Sequence, residues 1–249
     1  MRERRTLGVV ALLIAVLTAL AGVEPPALPA AVLREQAAMV LAGKAVVLDP
    51  GHGGPDGGAV GRSGSVEKAI TLDVALRLRD LLNQAGAKAV LTREADRDLA
   101  DAAKAQSLRQ RKRQDLAARV ALGNESGADV FLSIHANSFP TLPSMHGAQT
   151  FYLASGSSEN RRLATALQDE LVRLTANTDR EPNHRIDQYL LENLKIPAVT
   201  VEIGFLSNTR EEQMLLTPEY RQQVAWSLFA GLVRYFQTGA LPARAQQQR

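Results

Sequence analysis

Val46-Val47-Leu48-Asp49-Pro50-Gly51-His52-Gly53-Gly54-Pro55-Asp56-Gly57-Gly58-Ala59-Val60-Gly61 decides the fold class, because an apolar run of strand character stops in a loop too rich in glycine to pack around its own side chains. A buried strand feeding a flexible loop is how an open α/β sheet presents a ligand or catalytic group beyond the carboxyl ends of its strands. The glycines supply positive φ and let the backbone approach a bound group closely. The order Gly51-His52-Gly53-Gly54 matches neither G-x-G-x-x-G nor a phosphate loop ending in Gly-Lys-Ser/Thr, which argues against nucleotide binding. A lone histidine in a turn is ordinarily just solvated. What singles out His52 lies further along the chain.

Downstream, Ser65-Val66-Glu67-Lys68 opens a helix with Ser65 as the expected N-cap. Ile70, Val74, Leu78 and Leu82 form its inward stripe, and Gly86 ends it. Glu67 therefore falls in the first turn, close to the loop that carries His52. Lys88 to Thr92 is a second strand. The charged stretch Glu94 to Asp115 is an excursion that becomes a helix, with Leu116, Val120 and Leu122 on its apolar side. Val130-Phe131-Leu132-Ser133-Ile134-His135-Ala136-Asn137 is a third buried strand, ending in a histidine much as the first runs into His52.

Gly147 to Leu153 makes a further strand, and Ser158 to Thr175 a helix with Leu163, Leu167, Leu171 and Leu174 inward. A short helix is expected over Arg185 to Leu194. Ala198 to Phe205 is an apolar strand holding one carboxylate, Glu202, which is costly there unless partnered. Asn208 to Leu216 gives a turn and short helix, and Tyr220 to Phe236 a last helix with Val224, Leu228, Leu232 and Tyr235 on one face. This order predicts a single α/β domain: a twisted, mostly parallel (mixed) sheet of about six strands, flanked by helices on both faces.

Upstream, Thr6 to Val23 runs 18 residues without a charge behind Arg2, Arg4 and Arg5. As a helix it spans roughly 27 Å, about a bilayer core. It predicts export, with the amino end inside and the rest outside. Ala19-Leu20-Ala21 is an A-x-A cleavage site, so removal as a signal peptide and retention as a membrane anchor both stay open. The expected organisation is residues 1–23 for export, 24–43 a linker and short helix, 44–238 the catalytic domain, and 239–249 a polar tail. The first five residues supply +2 of the formal charge of +3, which leaves no basic surface for nucleic acid. With no cysteine, any metal must rest on histidine and carboxylate.

His52, Glu67, His135 and Glu202 come from a strand-end loop, a helix start, a strand end and a strand, places that converge on one edge of a parallel-rich sheet. Two imidazoles and one carboxylate are the ligand set of a hydrolytic zinc site, and the second carboxylate is then available as a general base. The residues leave open which glutamate does which. His146 and His184 lie in polar, loop-like surroundings and are expected to be solvated.

Asp49-Pro50-Gly51-His52-Gly53-Gly54, Glu67-Lys68, Leu91-Thr92-Arg93, Ser133-Ile134-His135-Ala136-Asn137 and Val201-Glu202-Ile203-Gly204-Phe205-Leu206-Ser207-Asn208 resemble, in order, the motifs of the zinc-dependent N-acetylmuramoyl-L-alanine amidases. The resemblance runs from Lys44 to about Phe236. It implies Zn²⁺ held by His52, Glu67 and His135, Glu202 as catalytic glutamate, and hydrolysis of the amide between the lactyl group of muramic acid and the L-alanine of the stem peptide. The single apolar N-terminal segment, the Gly-Pro-Asp-Gly-Gly-Ala-Val-Gly loop and the basic run between Gln106 and Asp115 resemble the germination-specific, spore-cortex branch. Such enzymes strip stem peptides ahead of muramic lactam formation.

The further expectations are a peptidoglycan substrate, a monomer, room for an activator protein, and action at the outer face of the cytoplasmic membrane or in the wall. Asn137 and Arg119 are the candidate substrate contacts, Arg119 by gripping a stem-peptide carboxylate in fork geometry. The segment Ser138 to His146, with Pro140 and Pro143, is too short and too proline-rich for a helix covering the site. The rival readings are a zinc carboxypeptidase or endopeptidase acting on the stem peptide, and a wall-binding protein without catalysis.

Overall fold

The three apolar runs at Val46, Val130 and Ala198 lie side by side at the centre of one sheet. The computed structural model describes residues 30–239 apart from 102, 106 and 186–188. The expected export segment, the linker from Glu24 to Pro29 and nearly all of the polar tail lie outside the described residues. Among the described residues no helix is long and apolar enough to cross a membrane. The chain divides into two units, Met1–Gln36 and Ala37–Arg249. Of the first, only the opening of a helix is described.

That helix is α1, Ala30–Leu41, followed by β1, Ala45–Pro50, and α2, Glu67–Gln84. Then come β2, Lys88–Leu91; α3, Leu108–Glu125; β3, Val130–Asn137; β4, Gln149–Leu153; and α4, Ser158–Thr175. The chain continues through β5, Asn183–Arg185; α5, Tyr189–Asn193; β6, Ala198–Phe205; α6, Thr209–Leu216; and α7, Pro218–Gly239. The sheet has six strands in the order β2-β1-β3-β6-β4-β5. All neighbours are parallel except β4, which runs antiparallel to β6. This is the mixed α/β sheet that the element order predicts.

The alternation of side chains along β3 explains where chemistry can occur. Val130, Leu132, Ile134 and Ala136 enter the larger core, with the buried faces of α2, α4 and α7. Phe131 points the other way, into a smaller core with Val47, Ala198 and Leu191, which Leu122, Leu194 and Ile196 border. Further along that second face the sheet turns polar: Asp49 on β1 stands level with Ser133 on β3, and His135 level with Glu202 on β6. Polar groups thus collect on one face, at the carboxyl ends of the central strands.

Three local expectations give way. Helix α2 starts at Glu67 behind Val66, whose side chain caps nothing. Ser65 is not the cap, because its hydroxyl donates to Glu212 Oε1 at 2.7 Å. The segment expected to be helical from Arg185 opens as β5, where parallel pairing with β4 claims it, and only Tyr189–Asn193 is helix. A three-residue edge strand is too short to show a period of two. The buried face of α3 carries Asp115, Arg119, Val120 and Gly123, while Leu116 and Leu122 are only partly covered.

Helices α4 and α7 pack closely, with Leu163, Leu167, Leu171, Val224, Leu228 and Leu232 fully buried. Gly231 permits the close crossing, since a Cβ there would stand 2.7 Å from Leu167 Cα. Truncating Leu228 to alanine in this seam should cost ~2–5 kcal/mol of stability.

Candidate metal centre

The loop after β1 turns sharply at His52, whose φ of 64° is left-handed; among the described non-glycine residues only Ala176 shares a positive φ. This brings the imidazole against the first turn of α2. His52 Nε2 lies 3.1 Å from Glu67 Oε2, and Nδ1 lies 2.9 Å from Asp56 Oδ2. On the other side of the carboxylate, His135 Nδ1 lies 3.0 Å from Glu67 Oε1. The two imidazoles meet edge to face, with ring centroids 4.9 Å apart. Glu67 is fixed further by the backbone, accepting from Ala59 N at 2.7 Å and from Ala136 N at 2.9 Å.

Electrostatics follow from these contacts. Burial pushes the Glu67 carboxyl up, but the hydrogen bonds and charges of His135 and His52 prevail and hold it well below the usual carboxylate range. For His52, burial works to lower the pKa, and Asp56 and Glu67 overcome it and raise it to about 9. Asp56 is held below its ordinary range against the effect of burial, by His52 and by Lys112.

His52, Glu67 and His135 offer ligand atoms within 4.8 Å of one another. Two imidazole nitrogens and one carboxylate, with no sulfur, form a donor set suited to a hydrolytic zinc ion. The backbone leaves space for these side chains and little else. A Cβ on Gly51 would stand 2.4 Å from His135 Cε1, and one on Gly58 would stand 2.4 Å from Glu67 Oε2 and 2.6 Å from His52 Cδ2. The donor set and its close confinement fit a metal ion.

Glu202 is buried at 7% exposure and paired in register with His135 across β3 and β6. Asn137, at the end of β3, is partly exposed; its Oδ1 accepts from Ser138 N at 2.8 Å. Arg119 is elsewhere. It is 1% exposed beneath the glycine loop, with Nη1 on Asp49 Oδ1 at 2.7 Å, Nε on Asp115 Oδ2 at 3.0 Å, and further bonds to the carbonyls of Pro50 and His52. Its fork faces the protein, not the open side of the site. His146 and His184 are exposed and stand apart from the cluster.

Several buried polar residues around the site escaped the sequence reading. Asp49 accepts from Thr92 Oγ1 at 2.7 Å and Ser133 Oγ at 2.6 Å besides its pair with Arg119. Its signal was present, since it is a carboxylate inside an apolar run, the feature that singled out Glu202. Glu211 accepts from Phe205 N, Gly147 N and Asn177 Nδ2, fixing the end of β6, and burial raises its carboxyl pKa. Residues 138–148 form turns without a helix, tied down by Phe139 N to Ser207 Oγ at 2.8 Å and Asn208 Nδ2 to Pro143 O at 3.0 Å.

The sequence profile of the N-acetylmuramoyl-L-alanine amidase family matches residues 46–234, which include all four convergent residues. The chain belongs to this family. The germination-specific N-acetylmuramoyl-L-alanine amidase of Bacillus subtilis (strain 168) is 46% identical over 197 residues, 79% of this chain and 81% of that protein. The N-acetylmuramoyl-L-alanine amidase AmiA of Escherichia coli (strain K12) is 31% identical over 236 residues, covering 78% of this chain and 76% of its own. Among solved structures, the CwlD amidase of Clostridioides difficile, determined in complex with the GerS lipoprotein, superposes with a TM-score of 0.75 at 36% identity. That match spans 78% of this chain and 99% of CwlD. The family match thus spans the whole sheet and takes in the His–Glu–His cluster at the carboxyl ends of its central strands.

Proposed function

We propose that this amidase is a zinc enzyme that hydrolyses the bond between N-acetylmuramic acid and the L-alanine of the stem peptide, with His52, Glu67 and His135 as metal ligands and Glu202 as catalytic residue. The observation that carries the reading is the convergence of those three ligand atoms beside the rung that holds Glu202. Held by His52, Glu67 and His135, a zinc ion would supply Lewis acidity toward the scissile carbonyl and the attacking water. The carboxylate of Glu202 takes the proton that water loses in the attack and returns it to the departing amide nitrogen, so that the L-alanine leaves as a neutral amine. The near-complete burial of Glu202 limits competing water around that carboxylate. Asn137, at the rim, is a candidate contact for the amide being cleaved. Arg119 is a positioning residue in this account, because its donors are spent on Asp49, Asp115 and the loop.

The 46% identity to the B. subtilis germination-specific enzyme supports a role in spore-cortex maturation, upstream of muramic lactam. The apolar stretch Thr6 to Val23 supports export, with residues 44–238 as the catalytic part acting at the outer membrane face or in the wall. The complex formed by CwlD supports a protein partner for this chain as well. Mass spectrometry of products from purified sacculi tests the reaction. Stem peptides released intact with a free L-alanine amino group are expected. Shortened peptides still attached to muramic acid would show a carboxypeptidase instead. If the host sporulates, deleting the gene should remove muramic lactam from the cortex, and normal lactam would overturn the cortex role alone.

A further inference from the structure

Two of the three clustered side chains belong to different pieces of chain: His52 to the loop after β1, and Glu67 to the first turn of α2. One buried side chain that belongs to neither piece bonds to both, alongside the direct ties from Thr71 to Gly51 O and from Lys68 Nζ to Gly54 O at 2.7 Å. Arg93, 1% exposed just after β2, donates Nε to Pro50 O at 3.0 Å and Nη2 to Gly51 O at 2.9 Å on the loop side. The same Nη2 reaches Lys68 O at 2.8 Å and Thr71 Oγ1 at 3.3 Å on the helix side. Nη1 closes the set on Ala95 O at 3.2 Å. Thr71 repeats the tie, its hydroxyl lying 3.1 Å from Gly51 O.

Arg93 thus spends its hydrogen bonds on four carbonyls and one hydroxyl, with no carboxylate among those acceptors. Its positive charge is costly there, since burial and the neighbouring Arg119 lower its pKa to about 10. An arginine kept in so unfavourable a place, with its rigid fork spanning two elements, does something that packing alone would not need. The loop is shaped around it. Gly53 has a φ of 131°, and a Cβ there would stand 2.3 Å from Arg97 O and 2.9 Å from Arg93 Cδ. The carbonyls of Pro50 and Gly51, the two residues before His52, are both held by Arg93.

We propose that Arg93 is a positioning residue for the metal centre: it sets the separation of His52 and Glu67 before any metal arrives, and so sets zinc affinity. The inference rests on the reading of His52, Glu67 and His135 as zinc ligands. Groups that orient metal ligands typically govern affinity by 10- to 100-fold.

The test is zinc affinity of the full chain, by competition with a chromogenic chelator, for wild type, Arg93→Lys, Thr71→Val, His52→Ala and Leu228→Ala. Lysine keeps the charge but cannot span the loop and helix. Arg93→Lys should bind zinc 10- to 100-fold more weakly than wild type, while kcat at saturating zinc returns close to wild type. Thr71→Val, a smaller change, should weaken zinc binding in the same direction and decides the matter if Arg93→Lys does not fold. Leu228→Ala, in the α4–α7 seam, loses stability without touching the site and should bind zinc as wild type does. Zinc affinity within twofold of wild type in folded Arg93→Lys, or an equal loss in Leu228→Ala, overturns the proposal. A wild type that binds no zinc, or binds it as well after His52→Ala, overturns the metal-centre reading instead.

Discussion

His135 and Glu202 occupy one rung of adjacent parallel strands, β3 and β6, and the register slips by one residue immediately beyond them, so that Asn137 pairs with Phe205. Strand neighbours lie ~4.8 Å apart and side chains on one rung share a face, which sets the Glu202 carboxylate beside the His–Glu–His cluster without placing it inside. Gly204, between those two pairs, has a φ of 145°, and Glu211 holds the strand just beyond it through Phe205 N at 2.8 Å. The reach of Glu202 is therefore fixed by backbone. Glu202→Asp should withdraw the carboxylate by about one bond length and lower kcat on the order of 10²-fold, as ångström-scale misplacement does. Zinc content measured alongside should stay stoichiometric.

Gly51 and Gly58 make a second, steric prediction. A methyl group at either position would overlap a proposed ligand side chain, His135 at Gly51 and both Glu67 and His52 at Gly58. Gly51→Ala and Gly58→Ala should retain helix and sheet signals by circular dichroism and lose most bound zinc by metal analysis. Gly58→Ala should be the worse folded of the two, because Gly58 also has a φ of 72°.

Removing the metal should leave the fold standing. Glu67 bonds to both imidazoles and accepts from the backbone of Ala59 and Ala136, so each of the three candidate ligands has a partner within the protein. Chelation should abolish turnover reversibly and lower the melting temperature only by mass action, ~2.7 kcal/mol when free zinc is 100 times its dissociation constant. Cooperative unfolding on chelation at 25 °C would contradict this.

Asp49 gives a prediction in pH. Burial raises its pKa, but Arg119, Ser133 and Thr92 together bring it below the ordinary 3.8. A depressed carboxyl contributes stability that is fully present above the unfolded value and is lost as pH falls through the folded value. Asp49→Asn leaves Arg119 with Asp115 as its remaining buried partner and should cost ~3–5 kcal/mol at neutral pH. In urea titrations, the gap between wild type and Asp49→Asn should be constant above about pH 5 and narrow below pH 4.

The sheet and its long helices were legible in the sequence because buried strands show as unbroken apolar runs and α2 and α7 carry regular stripes. The convergence of His52, Glu67 and His135 was legible for a related reason, since each sits where a regular element starts or stops. The burial of Arg119 was not legible, because α3 buries a polar face. An arginine at a helix position with charged neighbours looks solvated or substrate-facing, and only the fold shows Asp49 waiting beneath it. Arg93 lay in a motif without an assigned role, since a tie between a loop and a helix has no periodicity to reveal it. β5 was hidden by its length.

The division of labour between the two glutamates is the central claim, and metal analysis with turnover on Glu67→Gln and Glu202→Gln tests it most directly. A ligand carboxylate turned to an amide weakens coordination, so Glu67→Gln should lose zinc and recover some activity when zinc is added. A positioned general base is worth ~10²–10⁴ in rate, so Glu202→Gln should keep near-stoichiometric zinc and lose nearly all turnover, with no rescue by added metal. Glu202→Gln emptied of zinc, with Glu67→Gln fully loaded and inactive, would reverse the two roles and contradict the account.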